Sequence, residues 1–192
     1  AIILPLRDVM LAERDIGFID APVSGGVEGA RNGRLSIMCG GDAATLDRVR
    51  PALDCYGARI ALMGGTGAGQ ATKAVNQVMV AGINEAVCEA LALGAKLGLD
   101  AETLLPTLGS GAAANWFLDK RGATMLRGEF APGFKCAHML KDLRIVQATA
   151  QAAGIAHPAA DQALADYAVL VEEGYGDADT SALIALKLAE PA

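Results

Sequence analysis

The stretch GGTGAGQATKAVNQ, residues Gly64–Gln77, marks the point at which the character of the chain changes. Before it, short β-like runs alternate with one helix-like segment, which is typical of a βαβ unit. The β-like runs are residues 17–23, 34–41 and 58–64, and the helix-like segment is residues 42–53. After it, nearly every segment has helical periodicity. We therefore expect a β-containing portion over residues 1–63 and an all-α domain over residues 64–192.

The all-α part begins with a long apolar segment. From Thr72 to Leu97 there is no proline and there are few charges, so the segment predicts one helix of about 40 Å, at 1.5 Å per residue. Because its sides are almost all apolar, we expect burial on most faces, shared between the chains of a homo-oligomer. Further helices are predicted around residues 101–109 and 115–126, over residues 135–153 and 158–174, and after the capping-like residues 177–181.

The glycines of the deciding stretch do not match a phosphate-binding loop. Gly64 and Gly69 have the spacing of a P-loop, but Gln70 stands where the phosphate-binding lysine is needed. Gly65 and Gly67 begin a dinucleotide fingerprint, but Gln70 again replaces its third glycine. We interpret the stretch as a flexible turn.

That turn leads into a cluster of long polar side chains. Lys73 lies in the first turns of the predicted helix, and Asn76 and Gln77 follow at i+3 and i+4 on the same face. Three long polar side chains therefore meet on one side of this helix, where they could form a functional site. The alternative is a surface lysine at the start of a helix.

Composition excludes several classes of function. The chain has 192 residues, is 53% hydrophobic and carries a net charge of −6 without a cluster of Lys and Arg. Neither nucleic acid nor an anionic membrane surface is therefore an expected partner. The first fifteen residues are interrupted by Pro5, Arg7 and Asp8, so they fit neither a signal peptide nor a membrane span.

The cysteines and histidines predict no metal site. Cys39, Cys55, Cys88 and Cys136 form no C-x-x-C pair, and we expect small buried residues in a reducing, cytoplasmic compartment. The two histidines lack the spacing of zinc ligands.

Two further stretches carry candidate binding groups. In DAPVSGG, a strand ends in Ser24-Gly25-Gly26, where exposed backbone amides can hold a carboxylate. The alternative is a plain glycine turn. In FKCAHMLKDL, Lys141 lies on an otherwise apolar helix, where it is either functional or an ion-paired surface residue.

Taken in order, DAPVSGG, GAGQATKAVNQ and the segment from Phe134 to the KDL sequence resemble the β-hydroxyacid dehydrogenases. The type of this family is 3-hydroxyisobutyrate dehydrogenase, and 6-phosphogluconate dehydrogenase is a relative. The resemblance implies a Rossmann-type dinucleotide-binding domain, whose C-terminal part is residues 1–63. A long connecting helix and an all-α substrate and dimerisation domain would then occupy residues 64–192. NAD or NADP would be the cofactor, and a homodimer or homotetramer the assembly.

The resemblance also implies roles for individual residues. Lys73 would be the catalytic acid/base, and Ser24, Gly25 and Gly26 would hold the substrate carboxylate. The family's substrate-binding asparagine falls at Gln77, with Asn76 beside it, so either amide could orient the substrate. Lys141 and Phe134 would lie near the cofactor.

The implied reaction interconverts a hydroxy acid and its semialdehyde. A base removes the hydroxyl proton while hydride passes to nicotinamide. For Lys73 to act in both directions, its ordinary pKa of about 10.4 must fall toward roughly 7–8. Lysine at this position argues against imine reduction. The expected substrates are 3-hydroxyisobutyrate, tartronate semialdehyde (2-hydroxy-3-oxopropionate), and succinic or glyoxylic semialdehydes.

One departure from the family concerns the cofactor. No G-x-G-x-x-G turn precedes Asp20, which suggests either a fragment or a chain that has lost the usual pyrophosphate site. We expect this chain alone to bind NADH or NADPH weakly, to show no appreciable dehydrogenase activity and to associate through the exposed edge of its sheet. A non-catalytic dimerisation module is the alternative function.

Overall fold

The computed structural model describes residues 16–189 and divides the chain into two compact units between Asn76 and Gln77. The first unit combines a small sheet with short helices, and the second is helical. The predicted architecture, a Rossmann-type remnant followed by an all-α portion, is confirmed.

In its described residues, 16–76, the first unit contains a four-stranded sheet centred on one strand. The strands are β1 (Ile19–Asp20), β2 (Val23–Ser24), β3 (Leu35–Gly41) and β4 (Gly57–Gly64). On one side of β3 lie β1 and β2, both antiparallel to it, and on the other side lies β4, parallel to it. The β1 and β2 strands are separated by Ala21 and Pro22, and the proline carbonyl still accepts a hydrogen bond from the Met38 amide at 3.0 Å. Proline has no N–H to donate, which explains the break.

Two helices accompany this sheet in the part of the unit from residue 16 onward. The α2 helix (Ala43–Leu53) connects the parallel strands β3 and β4, as the βαβ pattern predicts. Its N-cap is Asp42, whose carboxylate accepts a hydrogen bond from the Thr45 amide at 2.8 Å. The α1 helix (Gly26–Arg31) was not predicted, because its two glycines indicate a turn. The core of the unit is Leu35, Ile37, Cys39, Leu46 and Leu53.

The long helix, α3 (Ala68–Lys96), begins four residues before the predicted start at Thr72. In the single chain α3 is only partly buried, because Met79 is 64% exposed and Leu93 is 60% exposed. Burial shared with a second chain stays a prediction. By length and composition alone α3 could cross a membrane, but core helices of soluble proteins share these properties.

The second unit continues with five helices connected by short segments. They are α4 (Ala101–Gly109), α5 (Trp116–Leu126), α6 (Cys136–Ala153), α7 (Pro158–Glu172) and α8 (Leu183–Leu188), with 3₁₀ turns at Tyr175–Asp177 and Thr180–Ala182. The buried side chains Leu91, Met139, Leu143, Tyr167, Leu170 and Leu183 belong to one core. The predicted order of helices is confirmed.

The cysteines correct one expectation. Cys39, Cys88 and Cys136 are buried, but Cys55 is exposed in the turn after α2, where its thiol donates to the Pro51 carbonyl at 3.4 Å. Burial raises the pKa of Cys136 to about 12 and raises that of Cys88 further. Both buried thiols are therefore inert at neutral pH.

Candidate active site

Lys73 lies beside the serine–glycine turn of the first unit. Its Nζ donates a hydrogen bond to the carbonyl oxygen of Val23 at 3.1 Å. Val23 directly precedes Ser24 at the end of the edge strand β2. The structure therefore brings together two motifs that lie about fifty residues apart in the sequence.

The turn Ser24-Gly25-Gly26 leaves its backbone accessible. Gly25 has a φ of 126° and Gly26 a φ of 62°, values that L-residues with a side chain rarely adopt. Both glycines are exposed, and the half-buried Ser24 precedes them. Gly25 is also the N-cap residue of α1. A small anion can approach the main chain here without meeting a β-carbon.

The glycine-rich stretch before Lys73 has a structural partner, Asp20. The Asp20 carboxylate accepts hydrogen bonds from the Gly67 amide at 2.6 Å and from the Gln70 amide at 2.9 Å. Two of the N–H groups that a helix N-terminus offers to phosphate are therefore bonded to a protein carboxylate. Because these two amides are already bonded, the stretch needs neither the lysine of a P-loop nor the third glycine of a dinucleotide fingerprint.

In the second unit, Gln77 and Lys141 contact the same carboxylate. Gln77 Nε2 donates to Asp142 Oδ2 at 2.9 Å, and Lys141 Nζ lies 2.9 Å from Asp142 Oδ1. Gln77 is only 2% exposed, whereas Asn76 is half-buried. Lys141 is exposed and ion-paired, as one of its two sequence interpretations stated. The contact between Gln77 and Asp142 was not predicted, since the two residues lie 65 positions apart in the sequence.

Phe134 directly precedes the N-cap of α6, the helix that carries Lys141. Its ring lies 6.2 Å from that of His138, measured between centroids, and its amide donates to Asp179 Oδ2 at 3.1 Å. Asp179 is buried and also accepts from the Gly133 and Ser181 amides and from Arg121 Nε. The sequence predicted a helix cap at residues 177–181, which include Asp179. It did not predict the contacts of Asp179 with Arg121, Gly133 and Phe134.

Each unit, taken by itself, offers groups that suit an anionic ligand. In the second unit Lys141 offers an exposed cation, and in the first unit the Ser24 turn offers accessible backbone. By contrast, the Gly67 and Gln70 amides are bonded to Asp20 and do not fit a pyrophosphate. Over residues 16–189, no cluster of three His, Cys, Asp or Glu side chains could hold a metal ion.

Two family models match the chain. One is described as the NAD-binding region of NADP-dependent 3-hydroxyisobutyrate dehydrogenase and matches residues 67–187. The other is described as the NAD binding domain of 6-phosphogluconate dehydrogenase and matches residues 7–65.

Relatives with assigned names agree with these models. The 2-hydroxy-3-oxopropionate reductase of Escherichia coli is 41% identical over 87% of this chain and 57% of its own length. The NAD-dependent L-serine dehydrogenase of Pseudomonas aeruginosa is 36% identical over 93% of this chain and 62% of its own length. The chain thus spans about three fifths of these relatives.

Solved structures show the same fold. The 3-hydroxyisobutyrate dehydrogenase of Salmonella typhimurium has a TM-score of 0.83 and 31% identity, and the match covers 92% of this chain and 62% of that one. The 3-hydroxyisobutyrate dehydrogenase of Mycobacterium tuberculosis, solved with L-serine, has a TM-score of 0.79 and 35% identity. That match covers 89% of this chain and 61% of the other.

Proposed function

This chain belongs to the family of 3-hydroxyisobutyrate and 6-phosphogluconate dehydrogenases, and on that premise we propose a specific activity for it. The protein is an NAD(P)-dependent oxidoreductase that interconverts a small 3-hydroxy acid and its semialdehyde. One observation carries this proposal: Lys73 Nζ lies 3.1 Å from the carbonyl of Val23, immediately beside the Ser24 turn.

Lys73 is the acid/base of the proposed reaction. When bound, the nicotinamide supplies the hydride acceptor or donor. In oxidation, the neutral amine of Lys73 takes the proton of the substrate hydroxyl, and in reduction its ammonium returns a proton to the carbonyl oxygen. The Val23 carbonyl holds Nζ at the end of strand β2, so the proton-transferring group starts from a defined position.

The turn Ser24-Gly25-Gly26 is the proposed carboxylate site. Its exposed glycines let a carboxylate reach the main chain, and the Ser24 hydroxyl can donate one further hydrogen bond. Fixing the carboxylate beside Lys73 orients the hydroxyl-bearing carbon of a short acid. This requirement favours small substrates with an acid group over neutral alcohols.

The remaining roles rest on the family resemblance. We assign orientation of the substrate hydroxyl to an amide of α3, from Asn76 or Gln77. Lys141 and Phe134 are assigned to the cofactor. Homo-oligomerisation and a cytoplasmic location belong to the same proposal, and the free cysteines support a reducing compartment.

A second candidate substrate is 2-hydroxy-3-oxopropionate. The relative from E. coli that carries this name is 41% identical over 87% of this chain. In both candidate substrates the carboxylate is attached to the carbon adjacent to the one that carries the reacting oxygen. The proposed site therefore suits either.

This chain purified alone should show no appreciable turnover, so the test is an NAD(P)H-linked assay on a form of the enzyme that carries a complete dinucleotide-binding domain, with a panel of small 3-hydroxy acids and semialdehydes that includes both candidates. We expect turnover with at least one acid, and Lys73→Ala should lower kcat by about 10²–10⁴-fold. Lys96→Ala, an exposed lysine at the other end of α3, is the control and should retain the parent kcat. Equal kcat in Lys73→Ala and parent would reject the assignment.

A further inference from the structure

We propose that Asp20 is a positioning residue for Lys73. Its carboxylate fixes the start of α3 to the strand that leads into the Ser24 turn, and thereby sets the distance between the acid/base and the carboxylate site. The inference rests on the proposed function for the role of Lys73, but the contacts themselves lie within the first unit and stand independently of it.

The bonding pattern is that of a helix cap supplied from a distance. Gly67 precedes the first residue of α3, and Gln70 is its third residue. Their amides belong to the N–H groups that a helix cannot satisfy internally, and such groups are ordinarily bonded by a nearby Ser, Thr, Asp or Asn. Here the acceptor is 47 residues away from Gly67 in the sequence. The helix start is therefore attached to β1 and not merely capped.

The packing around the carboxylate leaves little room for movement. Asp20 is 6% exposed. A β-carbon at Gly69 would lie 2.3 Å from the Met38 carbonyl oxygen. A β-carbon at Gly40 would lie 2.6 Å from Asp20 Oδ1 and 2.7 Å from the Gly69 amide. Only glycines allow strand β3 and the start of α3 to approach this closely.

Both ends of this attachment are adjacent to proposed site residues. Asp20, in β1, lies four residues before Ser24 in β2, and Lys73 lies three residues after Gln70 in α3. The hydrogen bond from Lys73 to the Val23 carbonyl connects the same two segments, the start of α3 and the β1–β2 edge of the sheet. Loss of the carboxylate would let the first turn of α3 shift against the strand. A shift of about 1 Å at a reacting group can cost up to roughly 10²-fold in rate.

A matched control is present in the same unit. Asp42 caps α2 with the same chemistry, a carboxylate that accepts from the Thr45 amide at 2.8 Å, but α2 carries none of the proposed site residues. Comparing the two positions separates the loss of a helix cap from the loss of alignment at Lys73.

The experiment compares Asp20→Asn and Asp42→Asn in the form of the enzyme that carries a complete dinucleotide-binding domain, with the best substrate of the parent. Asparagine keeps the shape of aspartate but turns an N–H donor toward one of the two amides. We expect kcat to fall about 10–100-fold in Asp20→Asn with KM changed less than about threefold, because the chemical step loses alignment. Asp42→Asn should keep the parent kcat. An Asp20→Asn enzyme with the parent kcat per folded molecule, or with only a raised KM, would overturn the proposal.

A second readout is amide hydrogen exchange, which needs no activity. The Gly67 and Gln70 amides should be protected in the parent and should exchange at least about tenfold faster in Asp20→Asn, but not in Asp42→Asn. Unprotected amides in the parent would overturn the attachment, even if Asp20→Asn fails to fold. In that event Asp20→Ser, which retains a small acceptor, replaces it in the kinetic comparison. A parent that turns over no hydroxy acid refutes the proposed function, whereas the exchange data still decide the attachment.

Discussion

Arg121 and Asp179 form an ion pair in the helical unit, with Nε 3.2 Å from Oδ1 and the aspartate almost fully buried. Three backbone amides donate to the same carboxylate, including those of Gly133 and Phe134 just before α6. One buried charge is thus compensated by four donors. The contact attaches the segment before α6 to both α5 and the 3₁₀ turn near the end of the chain.

Replacing this carboxylate should destabilise the fold strongly. In Asp179→Asn the charge is lost, and an NH₂ group replaces one of the two oxygens that accept from Arg121 and the three backbone amides. Removing one partner of a buried, hydrogen-bonded charge costs on the order of 3 kcal/mol. Urea unfolding followed by circular dichroism measures the loss.

The control for this variant is Asp177→Asn. Asp177 also pairs with a basic residue, Lys135, but its side chain is 91% exposed. The pairing lowers the pKa of Asp177 without burying it. We expect the urea midpoint of this control to match the parent. Equal midpoints for Asp179→Asn and Asp177→Asn would contradict the role of Asp179.

Lys187 on α8 contacts two carboxylates, Glu85 of α3 and Asp166 of α7. Burial raises the pKa of Glu85, and the hydrogen bond from Lys187 offsets this only in part. Burial alone would lower the pKa of Lys187, but its bonds to Asp166 and Glu85 outweigh that effect and raise it. Two acidic groups therefore share one cation in a half-buried site.

The destabilisation caused by Lys187→Met should depend on pH. A carboxyl group whose pKa is higher in the folded state binds protons more tightly there, so acid favours folding through Glu85. At pH 7 the variant retains two neighbouring carboxylates without a cation, at a cost on the order of 3 kcal/mol. As the pH falls toward about 4.5, protonation of Glu85 should reduce this difference. Chemical unfolding of parent and variant at pH 7 and at about pH 4.5 measures the difference in their free energies of unfolding. A difference that grows on acidification would contradict the arrangement.

The parts of the fold that depend on local signals could be predicted from the sequence. Asp100 and Asn115 cap α4 and α5 through amides three residues ahead, and Gly154 ends α6 with a φ of 69°. These signals lie within a few residues of the helix end that they define. The helices α4, α5 and α6 were therefore placed within about two residues, as is usual for such boundaries.

Contacts between distant segments could not be predicted in this way. The start of α3 was placed four residues late because its cap, Asp20, belongs to a strand and no local sequence pattern connects the two. The contact of Asp142 was not predicted for the same reason, since its partner Gln77 lies 65 residues away. The exposure of Met79 was missed because the apolar composition of α3 does not show which face is covered.

Gln77 should contribute to stability through Asp142. Gln77→Met keeps a similar length and an apolar stem but removes the donor 2.9 Å from Asp142 Oδ2. We expect a loss of about 1.5–3 kcal/mol in the free energy of unfolding, the range for a hydrogen bond to a charged group. Gln151→Met, exposed on the same helix as Asp142, is the control and should match the parent in thermal or urea unfolding. If both variants have the same unfolding midpoint as the parent, the Gln77–Asp142 hydrogen bond is not formed in solution.

The last prediction concerns the exposed side of α3. Met79, Ala86 and Leu93 recur every seven residues, so they lie on one side of the helix, and all three are exposed in the single chain. An apolar strip of this kind on a long helix is typical of a surface that a second copy covers. We expect the purified protein to be a dimer or larger and Met79→Glu to shift it toward monomer in light scattering at micromolar concentration, because a charge would be buried without a partner. Ile155→Glu, at an exposed apolar residue between α6 and α7, should leave the mass unchanged. A monomeric parent, or equal dissociation of both variants, would show that this strip is not the contact.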